Sequence, residues 1–465
     1  MNRVAETRSA MVPALIYAAL STAIVSSLGM LLVPSISLEM GVPVSTAQWM
    51  LTLNLLAGAI ATPVMGRLSD GPHKKKLLLV SLTIILAGSI IAAVAPNFTI
   101  FLIGRALQGL SYGIVAVTIS LARRYVAEHQ VQGSISSLSV TVATGIGIGY
   151  PLTGIIAGMT GFRFAFWFAA LFVLTAIIVV IRVIPDGPDE HALKTPFDSK
   201  GATLLGLGLG TLLLGISEGP HWGWSSLSTI SVLILAAALL LVWIRVELRS
   251  EHPLINLRVF RNGDVLLANL TAIGLGAAMY IGLSVASLVA QSPATTGYGL
   301  SLPVFWAGFV MFPLSVGSFT ANRLVRRLGR RISLATLLPV GAAFMASAGT
   351  LLWLAHTQLW EILLGMLVFG LGMGAAYAAM PALIARSVAT QELGSSVSFN
   401  QVLRTIGSSF GTAISGAVIA AHTGSDHHAT GTGINLSFEI GAVLCLVVFV
   451  SLLVNAGVKR SHRAS

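Results

Sequence analysis

Apolar runs of about 20 residues recur from Met11 to Gly457, separated by short polar or helix-breaking segments such as Ala95-Pro96-Asn97 and Ser292-Pro293. A run of that length is what an α-helix needs to cross a hydrocarbon core about 30 Å thick. Fourteen spans are predicted, at 12–36, 47–68, 76–95, 98–122, 134–158, 163–183, 201–218, 227–246, 265–291, 302–322, 332–355, 358–385, 396–421 and 434–457. The pattern is that of an all-α polytopic membrane protein. The first run is long and lacks a clear small-residue cleavage site, so it is read as a retained first helix.

Charge placement supports the count. With the N-terminus inside, 24 of the 27 Lys and Arg fall on inside loops, Arg163 falls outside, and Arg105 and Arg404 lie within spans. A single missed helix would invert every later loop, so the positive-inside bias predicts both termini to be cytoplasmic in a plasma membrane.

Composition changes the picture little. Charged residues make up 9% of the chain and hydrophobic residues 55%, against about 25% charged for a soluble domain. The net charge of +11 sits on loops beside the bilayer, so no nucleic-acid partner is expected. The one cysteine, Cys445, lies in an apolar run, and no intramolecular disulfide can form.

The chain repeats internally. Gly104, Gly109 and Gly113 in span four recur as Gly365, Gly370 and Gly374 in span twelve, at an offset of 261, and Gly133-Ser134 recurs as Gly394-Ser395. Spans 1–6 and 9–14 therefore read as two copies of one six-helix unit, with spans seven and eight inserted. The expected division is 12–183, an insert at 184–264, and 265–457.

Three segments carry candidate chemistry. After span two comes Gly66-Arg67-Leu68-Ser69-Asp70-Gly71-Pro72-His73-Lys74-Lys75-Lys76. Gly66 allows close helix contact, and Asp70 can accept charge-assisted bonds, with Arg123 or Arg124 as candidate partners in a conformational latch. In span four, Arg105-Ala-Leu-Gln108-Gly109 puts a cation inside the membrane, where a charge is costly and points to function, although an arginine there can also snorkel to the outer interface. In span five, Gly149-Tyr150-Pro151-Leu-Thr-Gly154 should kink the helix.

With these segments the chain resembles the major facilitator superfamily over nearly its whole length, and most closely its fourteen-helix drug:proton antiporter branch. The first segment is similar to that family's G-x-L-[ST]-D-x-x-G-[RK]-[RK], with His73 where glycine is usual; the second to R-x-x-Q-G; the third to G-P-x-x-G-G, with Tyr150 and Ile155 in place of two glycines. The copy at Asn322–Arg331 has Arg326 at the acidic position, which suits orientation better than a latch. Phe197-Asp198-Ser-Lys-Gly201 and Pro253-Leu-Ile-Asn256-Leu-Arg258 resemble that branch's connecting segments. The resemblance implies a major-facilitator fold and a secondary transporter, not an enzyme. It would export drugs or metabolites by alternating access in exchange for protons. It would have no cofactor, would be monomeric, and would have a small-molecule substrate, protons and lipid as its partners. Uptake of a metabolite is the alternative, and a membrane sensor or scaffold an alternative of another class.

The branch's helix-one aspartate is replaced by Val25, and no carboxylate lies in the middle of a span. Glu361 and Glu439 near outer span starts, or Asp70 with Arg105, are the candidates for proton coupling. Arg404 shares a helix face with Asn400 and Gln401, and a cationic site there would favour anionic or zwitterionic substrates. Asn54, Tyr112 and Tyr280 complete the candidate cavity. His422, Asp426, His427 and His428 form a weak metal candidate in a flexible loop, and no P-loop pattern for ATP hydrolysis is present.

Overall fold

The computed structural model describes residues 2–42, 44–47, 49–187, 197–251, 253–328, 334–389, 392–422 and 429–464. The long helices are α1 (Asn2–Ser27), α2 (Trp49–Asp70), α3 (Lys74–Val94), α4 (Phe98–Tyr125), α5 (Glu128–Thr160), α6 (Phe162–Val183), α7 (Ser199–Trp222), α8 (Leu227–Arg249), α9 (Gly263–Gln291), α10 (Phe312–Leu328), α11 (Leu334–Leu354), α12 (Leu359–Ser387), α13 (Leu393–Ala421) and α14 (Gly431–Ala464). Span one was expected to run unbroken over 12–36. Instead α1 stops at Ser27, Gly29 leaves helical geometry with ψ −95°, and a short helix, Val33–Met40, restarts with Pro34 in its first turn. Proline suits that place, where its missing N–H would have no partner.

Among the described residues, twelve helices are long and apolar enough to cross a membrane, against the fourteen expected. The difference lies in spans one and five: Ala10–Val25 is a shorter apolar helix, and α5, 33 residues long, is not among the twelve. Large aliphatic side chains point outward, such as Leu171 (60% exposed), Leu241 (61%) and Val454 (61%). In water such a surface would aggregate, whereas in lipid it meets a solvent as apolar as itself.

Helices α1–α6 pack on one another, as do α9–α14. The repeated glycines explain much of both packings. A methyl group on Gly104 would press on α3 at Gly88 and Ala92, on Gly109 against α2 at Asn54 and Gly58, and on Gly113 against Met65 of α2. Their counterparts do the same: Gly365 meets Leu352 of α11, Gly370 meets Leu314 of α10, and Gly374 meets Ser318 of α10. Small residues let the backbones approach, which supplies packing where lipid removes the hydrophobic drive. The two groups meet along two seams, α2 against α13, and α5 against α10 and α12. Helix α7 lies across the first seam, touching both α2 and α13, and α8 packs on α7. The α2–α3 connection marks what is called here the basic end of the bundle, and the α3–α4 connection the opposite end.

Candidate functional site

The first segment closes the basic end across the seam. Asp70 ends α2 and is 2% exposed. Its Oδ1 accepts from the Gly394 N–H at 2.6 Å, and its Oδ2 from the Ser395 N–H at 2.9 Å. These are second- and third-residue amides of α13, whose N-cap is Glu392. A helix start has N–H groups without internal partners and a partial positive charge, so a carboxylate there satisfies both. The expected arginine partners stand elsewhere. Arg123 Nη1 donates to the carbonyl of Ala385 at 2.8 Å, at the last turn of α12, and Arg124 lies over the Tyr125 ring. The reason is geometric: the α13 amides occupy both carboxylate oxygens, and Arg123 serves the negative end of a neighbouring helix. Two contacts of opposite polarity thus join the groups at one end.

Close approach makes this possible. A methyl group on Gly394 would lie 2.6 Å from Asp70 Oδ1 and 2.7 Å from the Gly66 carbonyl, and one on Gly66 would strike Ser398. Lys74 is buried and donates to the carbonyls of Ser69 (2.7 Å) and Gly71 (3.0 Å), capping α2. Lys75 pairs with Asp186 and donates to Ile181 at the end of α6. Arg67 is half-buried on the same turn. His73 takes the place of the usual glycine without strain, because its φ is −104°. Part of the second copy, Gly329, Arg330 and Arg331, lies outside the described residues.

Arg105 does not snorkel. It is fully buried among α2, α3, α4 and α6. Its Nη1 donates to Gln108 Oε1 at 2.6 Å, its Nε to the Met50 carbonyl at 3.3 Å, and Phe166 lies under the guanidinium. Gln108 passes the chain on to Ser89 at 2.8 Å. Helix α4 tightens at Gly109, whose N–H turns to Ala106, and Asn54 Nδ2 donates to the Arg105 carbonyl at 2.9 Å. Asn54 was expected in a cavity and is instead a buried tie between α2 and α4.

At the seam, Arg404 of α13 is 7% exposed and its guanidinium stacks 4.1 Å from the Tyr377 ring centre. Tyr377 belongs to α12 and its hydroxyl reaches Met279. Tyr112 of α4 and Tyr280 of α9 are hydrogen-bonded across the seam, near Tyr150 of α5. Asn400 is tied into α9 through the Ala268 carbonyl (3.1 Å) and Asn269 (3.0 Å), so it packs helices instead of facing a ligand, and Gln401 is half-buried. Pro151 lies within α5 as expected; Gly308 leaves room for Tyr150 and Pro151, and Gly154 approaches the carbonyls of Val304 and Phe305. Gly149 is buried in the same helix. Two candidates for coupling have other work: Glu361 completes a capping box with Gln358 at the start of α12, and Arg105 has its neutral partners. Asp426, His427 and His428 lie outside the described residues.

Sequence reasoning missed the α13 amides, because backbone donors leave no mark on residue identity; the recurrence of Gly394-Ser395 was their only trace. It marked Asp198 only as part of a connecting segment and did not single out Glu247 near the end of span eight.

The model of the Major Facilitator Superfamily matches residues 14–412, with a second match over 311–464. The chain belongs to the Major Facilitator Superfamily. It is therefore a multi-pass membrane transporter of that family. It is 25% identical to the multidrug resistance protein Stp of Mycobacterium tuberculosis over 83% of this chain and 71% of the relative. It is 25% identical to the quinolone resistance protein NorB of Staphylococcus aureus over 91% of this chain and 90% of the relative. The same identity links it to the uncharacterized MFS-type transporter YcnB of Bacillus subtilis, over 90% of this chain and 88% of the relative. The fold is shared with the human organic anion transporter MFSD10, at a TM-score of 0.66, 15% identity and coverage of 96% of this chain and 99% of the other. It is shared too with the nucleoside transporter NupG, at 0.60, 12%, 96% and 99%.

Proposed function

We propose that this superfamily member is an exporter of small organic compounds, working by alternating access in exchange for protons across the plasma membrane. The carrying observation is the closure of the basic end by Asp70 on the start of α13. That bond joins two helix groups that must separate there for the other access state. The basic loops support a cytoplasmic placement of that end, which would make this the state closed to the inside. Names among the relatives, multidrug and quinolone resistance, support export over uptake.

Fourteen spans in two six-helix units with α7 and α8 inserted is the topology of this proposal. Helix α5 has 33 residues, about 50 Å at 1.5 Å per residue and ample for a bilayer. The glycines at offset 261 pack equivalent helix pairs in both groups. Arg404 and the hydroxyls of Tyr112, Tyr280 and Tyr377 offer donors at the seam, which suits substrates carrying an anionic group on an apolar body. In acid-loaded proteoliposomes, addition of such a substrate should release protons. No release for anionic, zwitterionic or cationic candidates would remove proton exchange.

A further inference from the structure

The two connecting segments left without a role meet beside the latch. Asp198 caps α7, its Oδ1 accepting from the Gly201 N–H at 2.8 Å. Glu247, 2% exposed near the end of α8, accepts through Oε1 from the N–H of Ile255. Their other oxygens, Asp198 Oδ2 and Glu247 Oε2, are buried without a hydrogen-bond partner. Both face the same point over Gly201: a methyl group there would strike Asp198 Oδ2 and lie 2.8 Å from Glu247 Oε2. The missing side chain at Gly201 is what lets the two carboxyls converge.

The charged groups acting on Glu247 are Asp198 from α7 and Arg67 from the latch turn of α2. On the linker after α8, Arg258 is held by the Leu248 carbonyl, and at the start of α13 Glu392 is held by Asn256 at 3.0 Å. Two carboxyls that converge in a buried site repel when both are ionised, and a proton held between them relieves that repulsion.

We propose that Asp198 and Glu247 form a proton-binding pair whose protonation holds the basic end closed. The coupling is mechanical. Glu247 grips Ile255, and the next residue, Asn256, grips Glu392, the N-cap of the helix that Asp70 bonds. Leu254 and Ile255 bury into a small core with Leu205, Leu209, Trp243 and Val402, so linker, insert and α13 move together. With the shared proton in place, Oδ2 and Oε2 are joined by one O–H···O bond. When the proton leaves to water at the basic end, the like charges push α8 and its linker away from α7, and the pull reaches α13. Proton loss from the pair therefore favours the open state at alkaline pH, whereas the Asp70 carboxyl, pushed up to about 7 by burial, loosens its own latch bonds when it takes a proton in acid.

The test uses the full chain in lipid nanodiscs, in a Cys445→Ala background, with spin labels at the exposed positions Leu68→Cys and Arg386→Cys on opposite sides of the seam. One proton predicts a closed-to-open ratio falling up to about tenfold per pH unit across the titration. Glu247→Gln keeps the shape and bonds Asp198 without a proton, so it should stay closed at alkaline pH, where the wild type opens. Asp198→Asn keeps the helix cap and should do the same. Wild type that stays closed at alkaline pH, an alkaline opening that persists in both variants, or closure driven by sodium at fixed pH would each overturn the proposal. The readout is closure and needs no substrate, so its failure is separate from failure of proton-driven export.

Discussion

Asp70→Asn removes one charge from the latch and nothing from its shape. Asparagine keeps one oxygen for an α13 amide but turns its NH2 toward the other, so one of the bonds at 2.6 and 2.9 Å is lost. A bond to a charged group contributes about 1.5–3 kcal/mol, and a carboxylate at a partly buried helix start up to about 2 kcal/mol. Allowing for overlap, the closed state should lose about 2–4 kcal/mol, or roughly 30- to 700-fold in the closed-to-open ratio at about 1.4 kcal/mol per decade. Spin labels at Leu68→Cys and Arg386→Cys in nanodiscs report that ratio as two distance populations. The short population should collapse in Asp70→Asn while the melting temperature, set by packing within each helix group, changes little. A distance distribution identical to wild type would refute the argument, because it would mean that the α13 amides find water or another partner at no cost.

Gly394→Ala should open the same seam by overpacking, costing about 1–3 kcal/mol, since its methyl group would sit 2.7 Å from the Gly66 carbonyl; the same labels read it. Arg123→Ala loses the single bond to Ala385 and should shift the closed-to-open ratio by about tenfold, a bond to a charged group at the low end of its range. Arg105→Ala strands Gln108 in a fully buried site and should cost about 2–4 kcal/mol, seen as a lower melting temperature in detergent with the latch distances unchanged. Arg404→Gln should weaken binding of an anionic dye by tenfold or more and leave binding of a cationic dye nearly unaltered, measured by fluorescence titration.

How much of this was legible in the sequence follows from what each interaction is made of. The membrane class came from apolar runs, and the pairing of equivalent helices from glycines, since a missing side chain is itself a sequence signal. Arg105 was readable as a cation set within a helix span because arginine is rare there, and its full burial is what the structure adds. The partner of Asp70 was not readable, because amide donors belong to every residue but proline and only the fold decides which are free. Asn54 and Asn400 were taken for cavity groups. An asparagine that bonds a neighbouring helix and one that bonds a ligand look alike until the helices are placed. Asp198 and Glu247 stand 49 positions apart at span edges, where carboxylates are ordinary; their convergence needs the α7–α8 hairpin and the bare Gly201.

Export against a proton gradient is tested most directly in everted membrane vesicles, whose interior acidifies on energisation. The account predicts that vesicles carrying the wild-type protein accumulate an anionic amphipathic dye when energised. They should release it when a protonophore collapses the gradient, and Asp70→Asn vesicles should do neither. Dye accumulation that survives the protonophore, or that appears only in vesicles of the opposite orientation, would contradict it.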